Sequence, residues 1–329
     1  MGWRALAAVI ILAQLAAVGL IAATAGSRYE LPLIDYWTAA LGISIICSGI
    51  YALLQVPLCL AREVERPGRV IFQAVLRLDL PLVAFLVGTQ LALLGWLKAM
   101  MPFAVGFWAD PVLAELDGML FGGDPWIGLH MLPLEWIDRV YLTWGPLCAA
   151  TAIALSFAPN DPRKGRMLLA YFLTVASCAL GQYLLPSAGP VFFEAVGYGH
   201  RFSGLPVLPW VRTTADYLWI TYTSPGFSVG SGISAFPSLH VAGAFWIALV
   251  VRAYAPRLQM IGWAYWLTIF VGSVYLGWHY ALDGIAGSIL AIGMYRITAN
   301  ERFCLPKAEA GEVSAIDEAP CGELGGQSR

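Results

Sequence analysis

Long apolar runs alternate with short polar segments along most of the chain. A helix that crosses a bilayer needs about 20 consecutive, mostly apolar residues. The runs that reach or approach this length are 5–23, 39–60, 78–98, 135–157, 167–185, 238–252, 259–276 and 279–297. The pattern therefore predicts an all-α polytopic membrane protein with about eight transmembrane helices.

The composition agrees with a membrane protein. Hydrophobic residues make up 59% of the chain and charged residues 12%, whereas an average soluble domain is roughly 45–50% apolar and about 25% charged. A soluble enzyme and a disordered chain are therefore both excluded. The net charge of −2 provides no basic field that would attract nucleic acid. Six cysteines are too few for a disulfide framework, and we expect all of them to be unpaired.

The distribution of lysine and arginine predicts the orientation, because these residues collect on the cytoplasmic side. With the amino terminus inside, 14 of the 19 basic residues fall on the inner side and both termini are cytoplasmic. Two long outer segments remain: 99–134, expected to lie along the membrane surface, and the Gly-, Pro- and Ser-rich loop 186–237. The first run imitates a secretory signal, but its apolar core exceeds the usual length of about 7–15 residues, which favours an uncleaved anchor.

Two histidines stand at predicted outer helix starts. His240 follows Pro237 and Ser238, which suit the first turn of a helix, and a helix start with a histidine can bind an anion and donate a proton to it. His279 opens the last run, and Asp283 lies four residues on, on the same helix face. The carboxylate can hold one imidazole nitrogen and leave the other nucleophilic.

Plainer interpretations of these residues stay open at this point. Each histidine could be an ordinary interfacial residue, and the pair of His279 and Asp283 could be a structural hydrogen bond. Two histidines and one aspartate could also bind a metal, although no second carboxylate cluster lies nearby. The segment 226–230 matches the Gly-x-Ser-x-Gly elbow by chance, since that motif requires a strand, a turn and a helix.

The two histidine segments resemble motifs of the type-2 phosphatidic acid phosphatase superfamily. Residues 237–240 resemble its Pro-Ser-Gly-His motif, and residues 272–283 resemble its Ser-Arg-x5-His-x3-Asp motif. The resemblance covers roughly 78–297. It implies three parts: a two-helix extension with a cytoplasmic loop, a six-helix catalytic core and a disordered cytoplasmic tail, over 1–77, 78–303 and 304–329.

The chain departs from the family at the usual cationic phosphate ligands. The Lys and Arg of the family's Lys-x6-Arg-Pro motif are replaced by Gln182 and Gly189, and the Arg before the second histidine by Ser273. The Gly of the middle motif is Leu239. This pattern is similar to the branch that contains inositol phosphorylceramide synthase, where Phe-Pro-Ser-Leu-His recurs without the Lys/Arg motif.

The resemblance implies a metal-independent enzyme without a cofactor. His279, oriented by Asp283, would attack phosphorus and form a phosphohistidine, while His240 would act as general acid and then as base. The substrate would be a lipid phosphate or phospholipid, and the acceptor water or a hydroxylated compound. For the phosphate ligands we expect the helix start at Ser238 and Leu239, the side chain of Gln182, and Arg201 or Arg212 from the outer loop, with Arg201 the better candidate.

Three functions remain as alternatives. The first is a lipid phosphotransferase similar to inositol phosphorylceramide synthase, and the second is a plain phosphatase of phosphatidate or of a polyprenyl phosphate or diphosphate. The third is a lipid transporter or a non-catalytic lipid-binding protein, although the sequence lacks the inverted repeat that is typical of transporters. Short loops and the lack of an Asn-x-Ser/Thr site favour a bacterial inner membrane, with the active site on the periplasmic side.

Overall fold

The computed structural model describes residues 2–61, 68, 72, 79–224 and 230–299, and in these residues it contains helices and no strand. The protein is all-α and polytopic, as the apolar runs predict. The helices are α1 (Trp3–Ala25), α2 (Leu33–Ala61), α3 (Asp79–Val105), α4 (Asp110–Phe121), α5 (Pro125–Leu129), α6 (Ile137–Tyr141), α7 (Trp144–Ala154), α8 (Pro162–Leu184), α9 (Pro209–Thr223), α10 (Leu239–Tyr254), α11 (Gln259–Tyr275) and α12 (Ala281–Ile297). The predicted tail 304–329 lies outside the described residues, as does most of the inner loop 62–78.

Five described segments are long and apolar enough to cross a membrane. These are α1, residues Leu33–Pro57 of α2, α3, the stretch Ile137–Phe157 that joins α6 to α7, and α8. The last three long helices, α10, α11 and α12, have 16, 17 and 17 residues, close to the lower limit of about 17 for a spanning helix. Together these segments correspond to the eight predicted apolar runs.

The centre of the bundle is formed by α3, α8 and α10. Their apolar side chains form one buried cluster, which includes Trp96 of α3, Phe172 of α8 and Trp246 of α10. The indole nitrogen of Trp246 also donates to the Met167 carbonyl at 2.9 Å. Large apolar side chains on α1 and α2 instead point outward, for example Leu12 and Leu41. This division is expected for a bundle whose outer helices face lipid, where apolar surface carries no penalty.

The two N-terminal helices are part of the same bundle. Helix α1 packs against α3 and α8, and α2 packs against α3 and α7. The guanidinium of Arg4 and the ammonium of Lys164 each lie 2.6 Å from the Asp79 carboxylate. Trp3 covers Gly165, where a Cβ atom would come within 2.8 Å of the indole. The two described helices of the predicted extension, α1 and α2, therefore pack on the other helices of the bundle.

Helices also occupy the two outer segments. The first contains α4 and α5, in line with the expected surface helix. The described residues of the second contain a 3-10 turn over Pro190–Phe192 and the 15-residue α9, which the sequence analysis did not predict. Proline favours the first turn of a helix as well as loops, and Pro209 opens α9 in this way. The four cysteines within the described residues are free, as expected.

Candidate active site

The structure brings together the three residues that the sequence singles out. His279 Nε2 lies 3.1 Å from His240 Nδ1, and the two ring centroids are 5.0 Å apart. On the other side of the ring, His279 Nδ1 lies 3.4 Å from Asp283 Oδ2, a distance that is too long for a well-formed hydrogen bond. His279 and Asp283 are buried and His240 is partly exposed. The catalytic roles of these residues stay a prediction.

The two histidines meet because α10 and α12 begin side by side. Ser238 caps α10, and its hydroxyl accepts from the Val241 amide at 3.3 Å. The Ser238 amide donates to the Asp283 carbonyl at 3.0 Å, which ties the start of α10 to the first turn of α12. Gly287 allows this approach, because a Cβ atom there would overlap the Ser238 carbonyl. The relative position of the imidazoles is therefore fixed by backbone contacts.

The surface helix α4 holds the start of α12 in place. Asp117 accepts hydrogen bonds from the amides of Ala281 and Leu282, at 2.6 and 2.9 Å, and so caps the helix that carries Asp283. These amides would otherwise lack partners at a helix start. The sequence analysis did not assign Asp117 a role. The available signal was a pair of aspartates, 110 and 117, spaced two helical turns apart in an apolar segment.

Asp110, the other aspartate on this face, organises the neighbouring loop. Its carboxylate accepts from the amides of Ala188 and Gly189, at 2.7 and 2.8 Å, and from the Tyr280 hydroxyl at 2.8 Å. Burial raises the pKa of Asp110 to about 6, although these three donors favour the ionised form. At neutral pH the carboxylate therefore accepts all three bonds and links loop 186–189 to the residue that follows His279.

His240 is held by aromatic rings. It stacks on Tyr141, with centroids 5.0 Å apart and planes 13° from parallel, and it contacts Trp144 at 4.2 Å. Within the described residues, the buried Tyr141 hydroxyl has no hydrogen-bond partner, and the same holds for Asp283 Oδ1. Buried polar atoms are normally paired, so the site has unused capacity for hydrogen bonds with a ligand.

The predicted phosphate ligands fall into two groups. Ser238, Leu239 and Gln182 are buried, and Gln182 Oε1 has no partner among the described residues. The two arginines differ from each other in their surroundings. The guanidinium of Arg201 donates to Asp124, to Glu115 and to the Ala114 carbonyl, at 2.8, 3.2 and 2.9 Å. The side chain of Arg212 is exposed on α9.

Arg201 lies against an acidic segment. It is bound by oxygen atoms of α4 and of Asp124, so its charge is already balanced by carboxylates. Arg212 was expected in an irregular loop, whereas it belongs to α9, where its side chain is exposed. A role of either arginine in phosphate binding stays a prediction.

The sequence analysis assigned no role to a lysine in α3. Lys98 was counted as an ordinary residue at the end of a span. The loop that leads to His240 packs on the turn that carries Lys98, because a Cβ atom at Gly232 would come within 3.0 Å of the Lys98 carbonyl carbon. Within the part of the chain that the structure describes, Lys98 forms no hydrogen bond and no ion pair. The available signal was a cation inside an otherwise apolar run, which usually marks a functional position.

An apolar cavity of about 710 Å³ lies beside the site, between residues 121–129 and helices α11 and α12. Phe270, Val274 and Ile285 contribute to its lining. A much smaller cavity of about 10 Å³ reaches His279, and Asp124, Pro125 and Val274 line both cavities. The apolar cavity and the small cavity at the His279 ring are therefore neighbours that share part of their lining.

Comparison with protein families connects this geometry with a known group. A family model described as "PAP2 superfamily" matches residues 125–297, just over half of the chain, and the match contains both histidines and Asp283. Comparisons with curated proteins and with solved structures gave no match. On the strength of the family match, the chain belongs to the PAP2 superfamily, whose members are generally phosphatases that act on lipid phosphates.

Proposed function

We propose that this chain is a lipid phosphotransferase or phosphatase that works through a phosphohistidine on His279, without a metal or a cofactor. The contact between His279 Nε2 and His240 Nδ1, with Asp283 behind the first ring, is the observation that carries the proposal. A double displacement requires a nucleophilic ring with a carboxylate at one nitrogen and a proton donor near the other nitrogen, and His279 has this arrangement.

The chemistry follows from the positions of the ring nitrogens. A phosphoryl group that enters between the two rings would meet His279 Nε2, and a nitrogen–phosphorus bond would form as the bond to the leaving oxygen breaks. Protonated His240 would give its proton to that oxygen. In the second step neutral His240 would take a proton from the acceptor hydroxyl, which attacks phosphorus and releases His279. Asp283 would stabilise the charge that the His279 ring acquires in the first step.

Several observations favour transfer to a lipid alcohol over transfer to water. The His279 side chain is 2% exposed, so water has little access to the phosphohistidine. The apolar cavity beside it fits an alkyl chain better than a polar acceptor. The resemblance to the inositol phosphorylceramide synthase branch also supports headgroup transfer. The second candidate is a plain lipid phosphate phosphatase, which the superfamily as a whole favours.

An assay in detergent micelles separates these functions. We expect the purified protein to transfer a labelled headgroup from phosphatidylinositol to ceramide, and to release little phosphate from phosphatidate. Phosphate release that does not depend on an added lipid alcohol would instead assign a phosphatase. Inactivity with every donor in micelles, together with lipid movement in sealed vesicles, would contradict an enzyme and favour a transporter. His240→Ala should lose either enzymatic activity by about 10²–10⁴-fold, because it removes the proton donor.

The proposed location is a bacterial inner membrane with the site on the periplasmic side and both termini in the cytoplasm. The distribution of basic residues supports this orientation. Cysteine introduced at the exposed Ser203 should react with a membrane-impermeant thiol reagent in intact cells. Cysteine at the exposed Arg257, on the predicted inner side, is the matched control and should react only after lysis. The reverse pattern of labelling would contradict the orientation.

A further inference from the structure

The side chain of Lys98 is the starting point of an inference that rests on the proposed function. The proposed reaction brings an anionic phosphoryl group to the outer ends of buried helices, where uncompensated charge is costly. Arg201 is already balanced by acidic residues and Arg212 is exposed. Lys98 lies on the turn of α3 against which the loop before α10 packs, and among the described residues it forms no ion pair. A lysine without a partner inside a membrane helix itself calls for an anion.

Contacts from two other segments fix the turn of α3 that carries Lys98. From the end of α8, the Tyr183 hydroxyl donates to the Leu97 carbonyl at 2.6 Å. From the loop before α10, Gly232 lies directly on the backbone, where a Cβ atom would come within 2.8 Å of the Ala99 nitrogen and 3.0 Å of the Lys98 carbonyl carbon. Gly232 has a φ of +95°, so glycine suits both the conformation and the close approach.

The same loop connects this turn of α3 with the histidines. After Gly232, the amides of Ala235 and Phe236 donate to the carbonyl and the hydroxyl of Ser187, at 2.8 and 3.0 Å. Pro237 then packs on Gly181, which has no side chain to displace it, and α10 begins two residues later. The loop before α10 is therefore held along its length, and this fixes the distance between the turn that carries Lys98 and the start of the helix that carries His240.

Unused polar atoms accompany these contacts. Gly232 and Tyr183 are the two residues that contact the turn of Lys98. Ser231 immediately precedes Gly232, and Gln182 immediately precedes Tyr183. Both side chains are 3% exposed, and neither Ser231 Oγ nor Gln182 Oε1 has a hydrogen-bond partner among the described residues. A hydroxyl can donate to a phosphate oxygen, and an amide oxygen can accept from an ammonium. A ligand with negatively charged oxygen atoms would accept from the Ser231 hydroxyl and from the Lys98 ammonium, which have no partners among the described residues.

We propose that Lys98, together with Ser231, binds the phosphoryl oxygens of the substrate and so replaces, from a different helix, the two cations that are missing at the end of α8. With phosphate bound, we expect Gln182, which occupies the place of the family's lysine, to accept from the Lys98 ammonium and so pair two groups that have no partner among the described residues. The phosphate-binding charge of the site has thus moved from α8 to α3, and the histidines and Asp283 keep their places.

Orthovanadate, a phosphate-like anion, tests the site directly through its binding to the full-length protein in detergent. Lys98→Met should weaken binding by about 10- to 100-fold, the range for the loss of one charge-assisted hydrogen bond, and should lower kcat/KM to a similar degree. Lys98→Arg should keep most of the binding. Arg139→Met is the matched control, because it removes an exposed cation from the same side of the protein, and should bind like the wild type.

The outcomes separate this proposal from the proposed function. Methionine removes an unpaired charge from a membrane helix, so we expect Lys98→Met to fold, and its thermal midpoint without anion checks this. If Lys98→Met binds orthovanadate as tightly as the wild type while the enzyme remains active, the assignment of Lys98 is wrong and the proposed function stands. If the wild type binds orthovanadate through Lys98 but cleaves no lipid phosphate or phospholipid, the proposed function fails and the anion site remains.

Discussion

Replacement of His279 by alanine is expected to lower the rate of phosphoryl transfer by at least about 10⁴-fold and to abolish any covalent phosphoenzyme. In the proposed mechanism the ring supplies the nucleophile, and loss of a nucleophile costs more than the factor of about 10²–10⁴ that general acid catalysis contributes. The measurement is rapid acid-free quenching with a labelled phosphate donor. A phosphohistidine should survive at alkaline pH and decay in acid, which distinguishes it from a phosphoserine.

Two variants sharpen this test. His200→Ala is the matched control, because His200 is exposed and pairs with Glu194 on the surface at 2.9 Å; it should keep full activity. Asp283→Asn keeps the shape of the side chain but removes its charge, and we expect it to be slower than the wild type and faster than His279→Ala. A labelled phosphoenzyme that persists in His279→Ala would show that another residue is the nucleophile.

Replacement of Asp117 by alanine is expected to destabilise the protein by about 2–4 kcal/mol and to remove most of its activity. The carboxylate accepts from the amides of Ala281 and Leu282, and the variant would leave both buried donors unpaired, at a cost of about 1–3 kcal/mol for each buried group. The loss of a negative charge at the start of α12 adds a smaller helix-dipole effect. Activity would fall because the first turn of α12 carries Asp283 and follows His279 directly.

The thermal midpoint and kcat measure the two effects separately. Glu115→Ala is the matched control on the same helix. Glu115 is exposed and contacts Arg201 at 3.2 Å, and exposed ion pairs contribute only about 0–1 kcal/mol. A variant at Asp117 that melts with the wild type and keeps full kcat would show that α4 does not hold the start of α12.

The sequence predicts the helices, and it predicts the proximity of His279 and Asp283, because both depend on short-range patterns. An apolar run of sufficient length has few alternatives to a membrane helix, and His279 lies just before the cap of the helix whose first turn carries Asp283. The start of α10 is equally local, since Ser238 caps the helix that His240 enters. These features need no knowledge of how distant segments pack.

The supporting residues could not be predicted in this way. The bonds of Asp117 to Ala281 and of Asp110 to Tyr280 join positions 164 and 170 residues apart, and nothing in the local sequence specifies such pairs. The role of Lys98 depends on the packing of α3 against the loop before α10. Arg201 was assigned to phosphate by its sequence position, although its carboxylate neighbours come from another segment.

The pairing of Asp79 at the inner end of the bundle has a consequence for biosynthesis. Asp79 contacts Arg4, which precedes it in the chain, and Lys164, which follows it. Because the ribosome delivers the chain from its amino terminus, Asp79 can pair with Arg4 as soon as α3 inserts beside α1. Lys164 is 2% exposed and arrives later, when a carboxylate is already in place to receive its charge. The order of these three residues thus lets the carboxylate of Asp79 and the buried ammonium of Lys164 each enter when a partner is already present, and the residue that waits, Arg4, is the more exposed one.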